Sequence, residues 1–217
     1  MSYQTVIFDL DGTLLNTLDD LADSVDHALR EMGWPPRSLA EIRQFVGNGV
    51  ALLVERAVPA GTDPADAETC LALFKAHYAL HMKDKTAPYP GVLDLLDALR
   101  ESGLSTAVVS NKFDAAVKGL CGDYFGARIQ AAAGESATAP KKPDPAMVRR
   151  ALSDLGASAD GAVYVGDSDV DIATAKNAGI PCVSVTWGFR NEDFLRAHGA
   201  TRVVHSPEEL GKVLLEG

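Results

Sequence analysis

VIFDLDGTL, residues 6–14, is an apolar stretch that ends in two aspartates separated by one residue. Side chains of a strand alternate between its two faces, so Asp9 and Asp11 should point to the same side, where Gly12 and Thr13 open a turn. Two carboxylates held together repel each other unless a cation, a shared proton or a divided catalytic task stabilises the pair. The stretch therefore indicates a metal site with a carboxylate nucleophile, although Asp and Gly are also common in ordinary turns.

Apolar runs of strand length recur along the chain. Several are continuous rather than alternating, which is typical of strands that are buried on both faces of a parallel sheet. Helical segments lie between them, for example residues 91–101 and 144–155, each followed by a glycine. The fold class is therefore α/β, with a doubly wound parallel sheet. The predicted strands are 4–10, 104–110, 128–133, 162–166, 181–186 and 202–205.

Residues 17–85 interrupt this alternation because they are almost wholly helix-like. Their breaks fall at residues 33–36, 47–49 and 59–64, where Gly or Pro accumulates. An insertion of this length is too large for a crossover connection, so we expect a small α-helical domain after the first strand. The predicted boundaries are 1–16 and 86–217 for the α/β core and 17–85 for the inserted domain, with joints near 14–18 and 85–90.

Composition is that of an ordinary globular protein, since 47% of the 217 residues are hydrophobic. The net charge is −10 without a basic stripe, which argues against binding a nucleic-acid polymer. We expect a cytoplasmic protein without a membrane partner, because neither a membrane-spanning stretch nor a signal segment is visible. Cys70, Cys121 and Cys182 match no metal spacing and are expected to be reduced. The oligomeric state, monomer or homodimer, stays open.

Polar residues gather at three further places next to predicted strands or helices. Carboxyl ends of parallel strands share one edge of a sheet, so these residues can converge on Asp9 and Asp11. Carboxylates suit a hard divalent cation, whereas hydroxyl, amide and ammonium groups suit an anion. The three stretches are SNK at 110–112, KKP at 141–143 and GDSDVD at 166–171.

The acids of these stretches are candidate magnesium ligands. Magnesium prefers oxygen ligands in octahedral geometry and is usually held by a few carboxylates together with water. Asp9, Asp11 and Asp167 fit this role, and Asp171 would reach the same cation directly or through water if a helix begins just before it. Asp169 is better explained as an acid that the helix dipole favours in the first turn of that helix. The same explanation stays open for Asp167 and Asp171.

Hydroxyl, amide and ammonium groups of the same edge are candidate phosphate ligands. Taken singly, each also fits an ordinary turn or a solvated lysine, and only their joint placement favours binding. Lys112 and Lys141 neighbour the expected site, but nothing in the sequence indicates a separate role for either of them. The candidate phosphate ligands are Thr13, Ser110, Asn111 and Lys142.

The order DLDGT, SNK, KKP and GDSDVD resembles the four motifs of the haloacid dehalogenase superfamily of phosphohydrolases. The helical insertion resembles the cap of that superfamily, and the resemblance implies a Rossmann-like core. It also implies that Asp9 is the nucleophile that forms an aspartyl-phosphate and that Asp11 is the general acid and base. Ser110 and Lys142 would then hold the transferring phosphoryl group. Magnesium would be held by Asp9, by the backbone carbonyl of Asp11 and by Asp167.

Residues 43–58 resemble the substrate loop and following helix of phosphoglycolate phosphatases, which favours a small phosphorylated metabolite, 2-phosphoglycolate, as the substrate. Arg43 could contact its carboxylate, and Gly47, Asn48 and Gly49 could approach it closely. The same Gly-Asn-Gly stretch also fits a plain turn between helices. The alternatives are a phosphatase for sugar phosphates, nucleotides or pyrophosphate, and a non-catalytic phosphate-binding module.

Overall fold

A computed structural model describes residues 3–136 and 139–216 of the chain. The chain folds into two compact units. The first unit contains Met1–Leu15 and Pro88–Gly217, and the second contains Asn16–Ala87. The chain passes between the units at Leu15–Asn16 and at Ala87–Pro88, and these two short strands pair with each other.

Strands and helices alternate through most of the chain. The strands, numbered in chain order, are β1 (Thr5–Phe8), β2 (Leu15–Asn16), β3 (Ala87–Pro88), β4 (Ser105–Phe113), β5 (Ala131–Glu135), β6 (Ala162–Gly166), β7 (Cys182–Val185) and β8 (Arg202–Val204). The helices are α1 (Leu18–Glu31), α2 (Leu39–Phe45), α3 (Val50–Ala57), α4 (Pro64–His81), α5 (Val92–Glu101), α6 (Asp114–Tyr124), α7 (Ala146–Asp154), α8 (Asp169–Ala178), α9 (Glu192–Ala197) and α10 (Pro207–Glu216). Within the described part of the chain, no helix has the length and apolarity that crossing a bilayer requires.

The first unit is built on a six-stranded sheet in the order β5-β4-β1-β6-β7-β8, and each neighbouring pair is parallel. β1 lies between β4 and β6, and its neighbours in the sheet are separated from it in sequence by helices. The predicted α/β class with a doubly wound parallel sheet is confirmed. Because β1 is central, the residues that follow it lie between the ends of two other strands.

Apolar side chains cover both faces of this sheet. Val6 and Phe8 belong to one buried cluster, which side chains of α5, α6 and α10 complete. Ile7, between them in sequence, belongs to a second cluster with Tyr164 and side chains of α7. Successive strand residues therefore enter different cores, which explains why the strands read as continuous apolar runs.

The second unit contains α1 to α4. Leu21 and Val25 of α1 and Phe74 and Tyr78 of α4 are buried, and these two helices pack against each other. A capping box formed by Ser38 begins α2, and the Asp63 side chain caps α4. Buried apolar faces and satisfied helix ends are the features that stabilise a small helical unit.

Asp20 joins the beginning of the second unit to its end. This residue lies in the first turn of α1, and its carboxylate is buried. It accepts hydrogen bonds from the backbone N–H of Lys85 at 2.9 Å and from the backbone N–H and hydroxyl of Thr86 at 2.8 and 2.7 Å. The segment just before β3 is thereby held against the start of α1.

Candidate active site

Asp9 is the first residue after β1, and the carboxyl end of that strand fixes its position. Its backbone N–H donates to the carbonyl of Val165 in β6 at 2.9 Å, which continues the sheet by one residue. The carboxylate is buried and accepts from the backbone N–H of Leu10 at 2.7 Å. Its Oδ1 also lies 2.8 Å from the Nζ of Lys142. The expected meeting of Asp9 and Lys142 at one sheet edge is present.

Lys142 connects three buried oxygen-bearing side chains. Its Nζ lies 2.8 Å from Asp9 Oδ1, 2.8 Å from Asp171 Oδ1 and 3.1 Å from the hydroxyl of Tyr164. Burial works to lower the pKa of Lys142, but the carboxylates of Asp171 and Asp9 outweigh it and raise that pKa well above its ordinary value. The ammonium group therefore stays charged and offsets part of the negative charge around it.

Three buried carboxylates meet at this point. One oxygen from each of Asp9, Asp167 and Asp171 lies within 4.8 Å of the others. Burial, followed by repulsion from Asp171, raises the pKa of Asp167 to about 7. Burial likewise raises the pKa of Asp9 well above its ordinary value, and Lys142 only partly opposes that rise. When all three are ionised, the carboxylates outnumber the one ammonium, and a divalent cation would neutralise the excess negative charge.

Asp167 is held on both carboxylate oxygens. The backbone N–H of Phe189, after β7, donates to Oδ2 at 2.7 Å, and the hydroxyl of Thr13 donates to Oδ1 at 3.2 Å. The indole N–H of Trp187 in turn donates to the carbonyl of Thr13 at 3.0 Å. Thr13, predicted as a phosphate ligand, is thus placed against Asp167, and its contact with phosphate stays a prediction.

Asp171 has no exposed surface and its carboxylate accepts several hydrogen bonds. Lys142 Nζ and the Tyr164 hydroxyl approach Oδ1, and the backbone N–H and hydroxyl of Ser168 donate to Oδ2 at 3.1 and 2.6 Å. Ser168 accepts from the Asp171 backbone in return, so the pair forms the capping box that begins α8. Both carboxylate oxygens of Asp171 therefore already accept hydrogen bonds, and contact with a cation, direct or through water, stays a prediction.

Two glycines allow the backbone to approach Asp167. A Cβ atom at Gly12, whose φ is 84°, would lie 2.5 Å from Asp167 Oδ2. A Cβ atom at Gly188 would lie equally close to that oxygen and would also strike the carbonyl of Gly12. The loops after β1 and β7 therefore close around Asp167 only because both positions lack a side chain.

Asp11 lies outside this group of three acids. Its carboxylate is paired with Lys112, whose Nζ lies 2.9 Å from Oδ1 and 3.1 Å from Oδ2. The Lys112 side chain is only 3% exposed and that of Asp11 is 17% exposed. Asp9 and Asp11 were expected to form one repelling pair. In the structure β1 ends at Phe8, Asp9 contacts Lys142, and Asp11 contacts Lys112. Lys112, for which the sequence indicated no role, is therefore part of the site.

An irregularity in β4 brings Lys112 to this position. The register pairs Val109 with Ala133 but Phe113 with Glu135, so four steps along β4 oppose two along β5. The extra length falls on residues 110–112, all of which are buried. Lys112 directly follows Ser110 and Asn111, and this closeness in sequence was the signal that could have added it to the site.

Asn111 contacts the backbone of Lys142 through both ends of its amide. The N–H of Lys142 donates to Oδ1 at 2.7 Å, and Nδ2 donates to the carbonyl of Lys142 at 3.3 Å. These bonds occupy the amide oxygen and one of the amide N–H groups, so Asn111 orients the lysine loop. The neighbouring Ser110 hydroxyl is buried and accepts from the N–H of Lys112 at 3.3 Å. Phosphate binding by Ser110 and Asn111 stays a prediction.

The other predicted substrate residues lie in the second unit. Arg43 is exposed on α2, which ends at Phe45. The turn to α3 contains Gly47 with φ 125° and Gly49 with φ 85°, conformations that favour glycine, and Asn48 lies between them. The predicted turn is present, and the role of these residues toward a substrate stays a prediction.

Comparisons with known sequences give a consistent result. A family model described as haloacid dehalogenase-like hydrolase matches residues 6–185. A phosphoglycolate phosphatase of Pseudomonas putida is 39% identical over 209 residues, covering 92% of this chain and 75% of that protein. A phosphoglycolate phosphatase of Rhodospirillum rubrum is 40% identical over 197 residues, covering 87% of this chain and 82% of that protein.

Solved structures share the fold over the whole chain. A crystal structure from Lactobacillus delbrueckii subsp. bulgaricus, described as a candidate phosphoglycolate phosphatase, has a TM-score of 0.96 at 35% identity and covers 100% of both chains. The crystal structure of CbbY from Rhodobacter sphaeroides in complex with phosphate has a TM-score of 0.73 at 27% identity, covering 99% of this chain and 100% of that one.

Proposed function

The chain belongs to the haloacid dehalogenase-like hydrolase family and is a phosphoric monoester hydrolase, and from this premise we propose that it hydrolyses 2-phosphoglycolate to glycolate and phosphate. The observation that carries the proposal is the arrangement around Asp9. Its carboxylate is buried among two further acids and touches Lys142, while Asp11 is held separately by Lys112. This arrangement supports a nucleophile and an acid–base group with separate tasks.

In the first step we assign the nucleophile to Asp9. One carboxylate oxygen attacks phosphorus, and the bond between phosphorus and the ester oxygen breaks. The electron pair of that bond goes to the ester oxygen, which takes a proton from the carboxyl group of Asp11 and leaves as an alcohol. Lys142, 2.8 Å from Asp9, is placed to neutralise charge on the transferring group.

In the second step water attacks phosphorus and gives a proton to the Asp11 carboxylate. The bond between phosphorus and the Asp9 oxygen breaks, and its electron pair returns to Asp9. Inorganic phosphate is released, and both aspartates regain their starting protonation states. One carboxyl group thus serves as acid and then as base, as a two-step displacement requires.

The acid cluster fits magnesium, because three buried carboxylates with one lysine offer oxygen ligands and excess negative charge. In our proposal Asp9, Asp167 and the backbone carbonyl of Asp11 would hold the cation, and Asp171, which contacts Lys142, would support it indirectly. Bound magnesium would supply positive charge to the phosphoryl oxygens. The cytoplasmic location expected from the sequence stays a prediction.

We assign substrate selection to the second unit, in the role of a cap. Arg43 is proposed to bind the substrate carboxylate, and the turn at Gly47, Asn48 and Gly49 to approach the ligand. The relatives named phosphoglycolate phosphatase support this choice of substrate. Arg43→Ala is expected to raise KM for 2-phosphoglycolate about tenfold or more. KM for p-nitrophenyl phosphate, which lacks a carboxylate, should change little.

The proposed activity is tested with purified protein, a panel of small phosphate esters, and magnesium or EDTA. We expect 2-phosphoglycolate to have the highest kcat/KM and EDTA to abolish turnover. Asp9→Asn should lower kcat by at least about a thousandfold. The matched control is Asp154→Asn, an exposed acid paired with Arg150 on α7, which should retain activity.

Two outcomes would contradict the proposal in different ways. A clear preference for a sugar phosphate, a nucleotide or pyrophosphate would overturn the substrate while leaving the chemistry intact. Folded protein that turns over none of the esters would instead favour a phosphate-binding module.

A further inference from the structure

The pairing of Lys112 with Asp11 is unusual for a lysine because the ammonium group is buried, whereas the Asp11 carboxylate is 17% exposed. The ammonium contacts both carboxylate oxygens, at 2.9 and 3.1 Å, and the lysine side chain is 3% exposed. Lysine side chains ordinarily keep the ammonium in water, since burying it costs free energy unless a partner compensates. The burial of the Lys112 ammonium group beside Asp11 therefore suggests that this lysine has a role at the site.

Lys112 and Lys142 divide the acids of the site between them. Lys142 contacts Asp9 and Asp171, which belong to the group of three converging carboxylates. Lys112 contacts Asp11, which does not belong to that group. Because one ammonium bridges both oxygens of Asp11, rotation of this carboxylate toward the neighbouring acids would break at least one contact. The lysine thus holds the Asp11 carboxylate apart from the three converging carboxylates.

We propose that Lys112 is the positioning residue of Asp11, keeping its carboxyl group directed at the leaving-group oxygen and away from the cation. The inference rests on the proposed function, in which Asp11 gives a proton to the ester oxygen as the phosphorus–oxygen bond breaks. It later receives a proton from the attacking water. In this proposal Lys112 transfers no proton itself and acts through its contact with the Asp11 carboxylate.

This role predicts a dependence on the leaving group. An alkyl alkoxide is a poor leaving group and needs the proton of Asp11, whereas p-nitrophenolate leaves readily as an anion. kcat/KM reports the steps up to departure of the leaving group, and it does not contain the later hydrolysis of the aspartyl-phosphate. Loss of Lys112 should therefore lower kcat/KM for the alkyl ester much more than for the aryl ester.

The experiment compares wild type, Lys112→Met and Lys112→Arg with 2-phosphoglycolate and p-nitrophenyl phosphate as substrates. We expect Lys112→Met to lower kcat/KM about thirtyfold or more for 2-phosphoglycolate and about threefold or less for p-nitrophenyl phosphate. Lys112→Arg keeps the positive charge and should recover part of the loss. The control is Lys118→Met, an exposed lysine paired with Asp114 on α6, which should change neither value.

A second readout follows from the later step. Water attack also depends on Asp11, so Lys112→Met should accumulate aspartyl-phosphate and release a burst of p-nitrophenol close to one equivalent per enzyme. In an Asp11→Asn background, adding Lys112→Met should cost little more, because the residue that Lys112 positions is already lost. If Lys112→Met does not fold, as judged by circular dichroism, Lys112→Gln replaces it in both measurements.

The outcomes separate this inference from the proposed function. Equal losses of kcat/KM for the two esters, or additive losses in the double variant, would overturn the positioning role while the wild-type phosphatase activity stands. Wild-type protein that hydrolyses neither ester would overturn both. Unchanged kinetics in Lys112→Met would show that Asp11 needs no support from this lysine.

Discussion

The side-chain amide of Asn111 pairs with the backbone of Lys142 on two sides, through a 2.7 Å bond to Oδ1 and a 3.3 Å bond from Nδ2. The loop that carries the lysine is therefore fixed by a side chain from the neighbouring strand β4. This contact fixes the backbone from which the ammonium group of Lys142 reaches Asp9.

Asn111→Ala should weaken both the fold and catalysis. Removing the amide leaves the buried backbone groups of Lys142 without these partners, which costs about 1–3 kcal/mol of unfolding free energy. Displacement of Lys142 should lower kcat by about tenfold or more while KM changes less. Urea unfolding and steady-state kinetics measure the two effects. Wild-type values in both measurements would contradict the orienting role.

Lys142→Met should have a much larger effect on activity. Its removal leaves buried Asp9 and Asp171 without their shared ammonium, so we expect a loss of about 3–5 kcal/mol in stability at neutral pH. kcat should fall about a hundredfold or more because charge on the transferring group is no longer neutralised. Lys212→Met, which removes an exposed ion pair with Glu208, serves as the control and should be close to neutral.

Stability of the metal-free protein should fall as the pH rises toward neutrality. Burial, with repulsion from Asp171, raises the pKa of Asp167 to about 7, whereas an aspartate in the unfolded chain titrates near its ordinary value of 3.8. Between these values the folded state binds more protons than the unfolded state. The stability that Asp167 contributes through proton binding is therefore fully present below the pKa of the unfolded chain, 3.8, and is lost as pH rises through the folded pKa of about 7. For one such group the free energy of unfolding falls by up to about 1.4 kcal/mol per pH unit.

Urea unfolding at a series of pH values with EDTA measures this slope. Asp167→Asn should reduce it, because Asp9 is then the buried aspartate with a raised pKa that remains. Saturating magnesium should also flatten it, since a bound cation stabilises the ionised carboxylates. Stability that rises between pH 4 and 7 in EDTA would contradict the prediction.

Gly12→Ala should disturb the acid cluster without changing any charge. The new Cβ atom would lie 2.5 Å from Asp167 Oδ2, and the φ of 84° is unfavourable for alanine. We expect weaker magnesium binding in calorimetry and a loss of about 1–3 kcal/mol in stability. Gly119→Ala on α6 meets open space and should be neutral or slightly stabilising. Equal behaviour of the two variants would be inconsistent with close packing around Asp167.

The strand pattern and the sheet edge were predictable from sequence because burial on both faces removes the polar alternation of a strand. Val6, Ile7 and Phe8 enter two different cores, and a continuous apolar run is the direct result. The same topology explains why residues as far apart as Asp9, Lys142 and Asp167 could be expected at one edge. The first expectation follows from local sequence, and the second follows from the order of strands and helices along the chain.

The partners of the lysines were not predictable in the same way. Pairing of Lys112 with Asp11 depends on the two extra residues that β4 carries relative to β5, and a register of this kind is set by packing between strands. Asn111 was predicted to bind phosphate because a side-chain amide can donate to a phosphate oxygen as well as to a backbone carbonyl. The four-residue spacing from Asp167 correctly placed Asp171 near the other acids. The spacing did not indicate the donors to its carboxylate, which are Lys142, Tyr164 and Ser168.

Asp20 and the short pair of strands β2 and β3 have a consequence for the architecture as a whole. The chain leaves the sheet unit and returns to it at neighbouring points, since the N–H of Tyr89 donates to the carbonyl of Leu14 at 3.1 Å. The segment between Leu14 and Tyr89 therefore begins and ends at adjacent points of the sheet unit, as a tight turn does. Because closing a loop costs little more as the loop lengthens, the interior of the helical unit can gain or lose residues without moving Asp9 or its partners. In our proposal, in which the helical unit selects the substrate, substrate choice and bond breaking can therefore change independently.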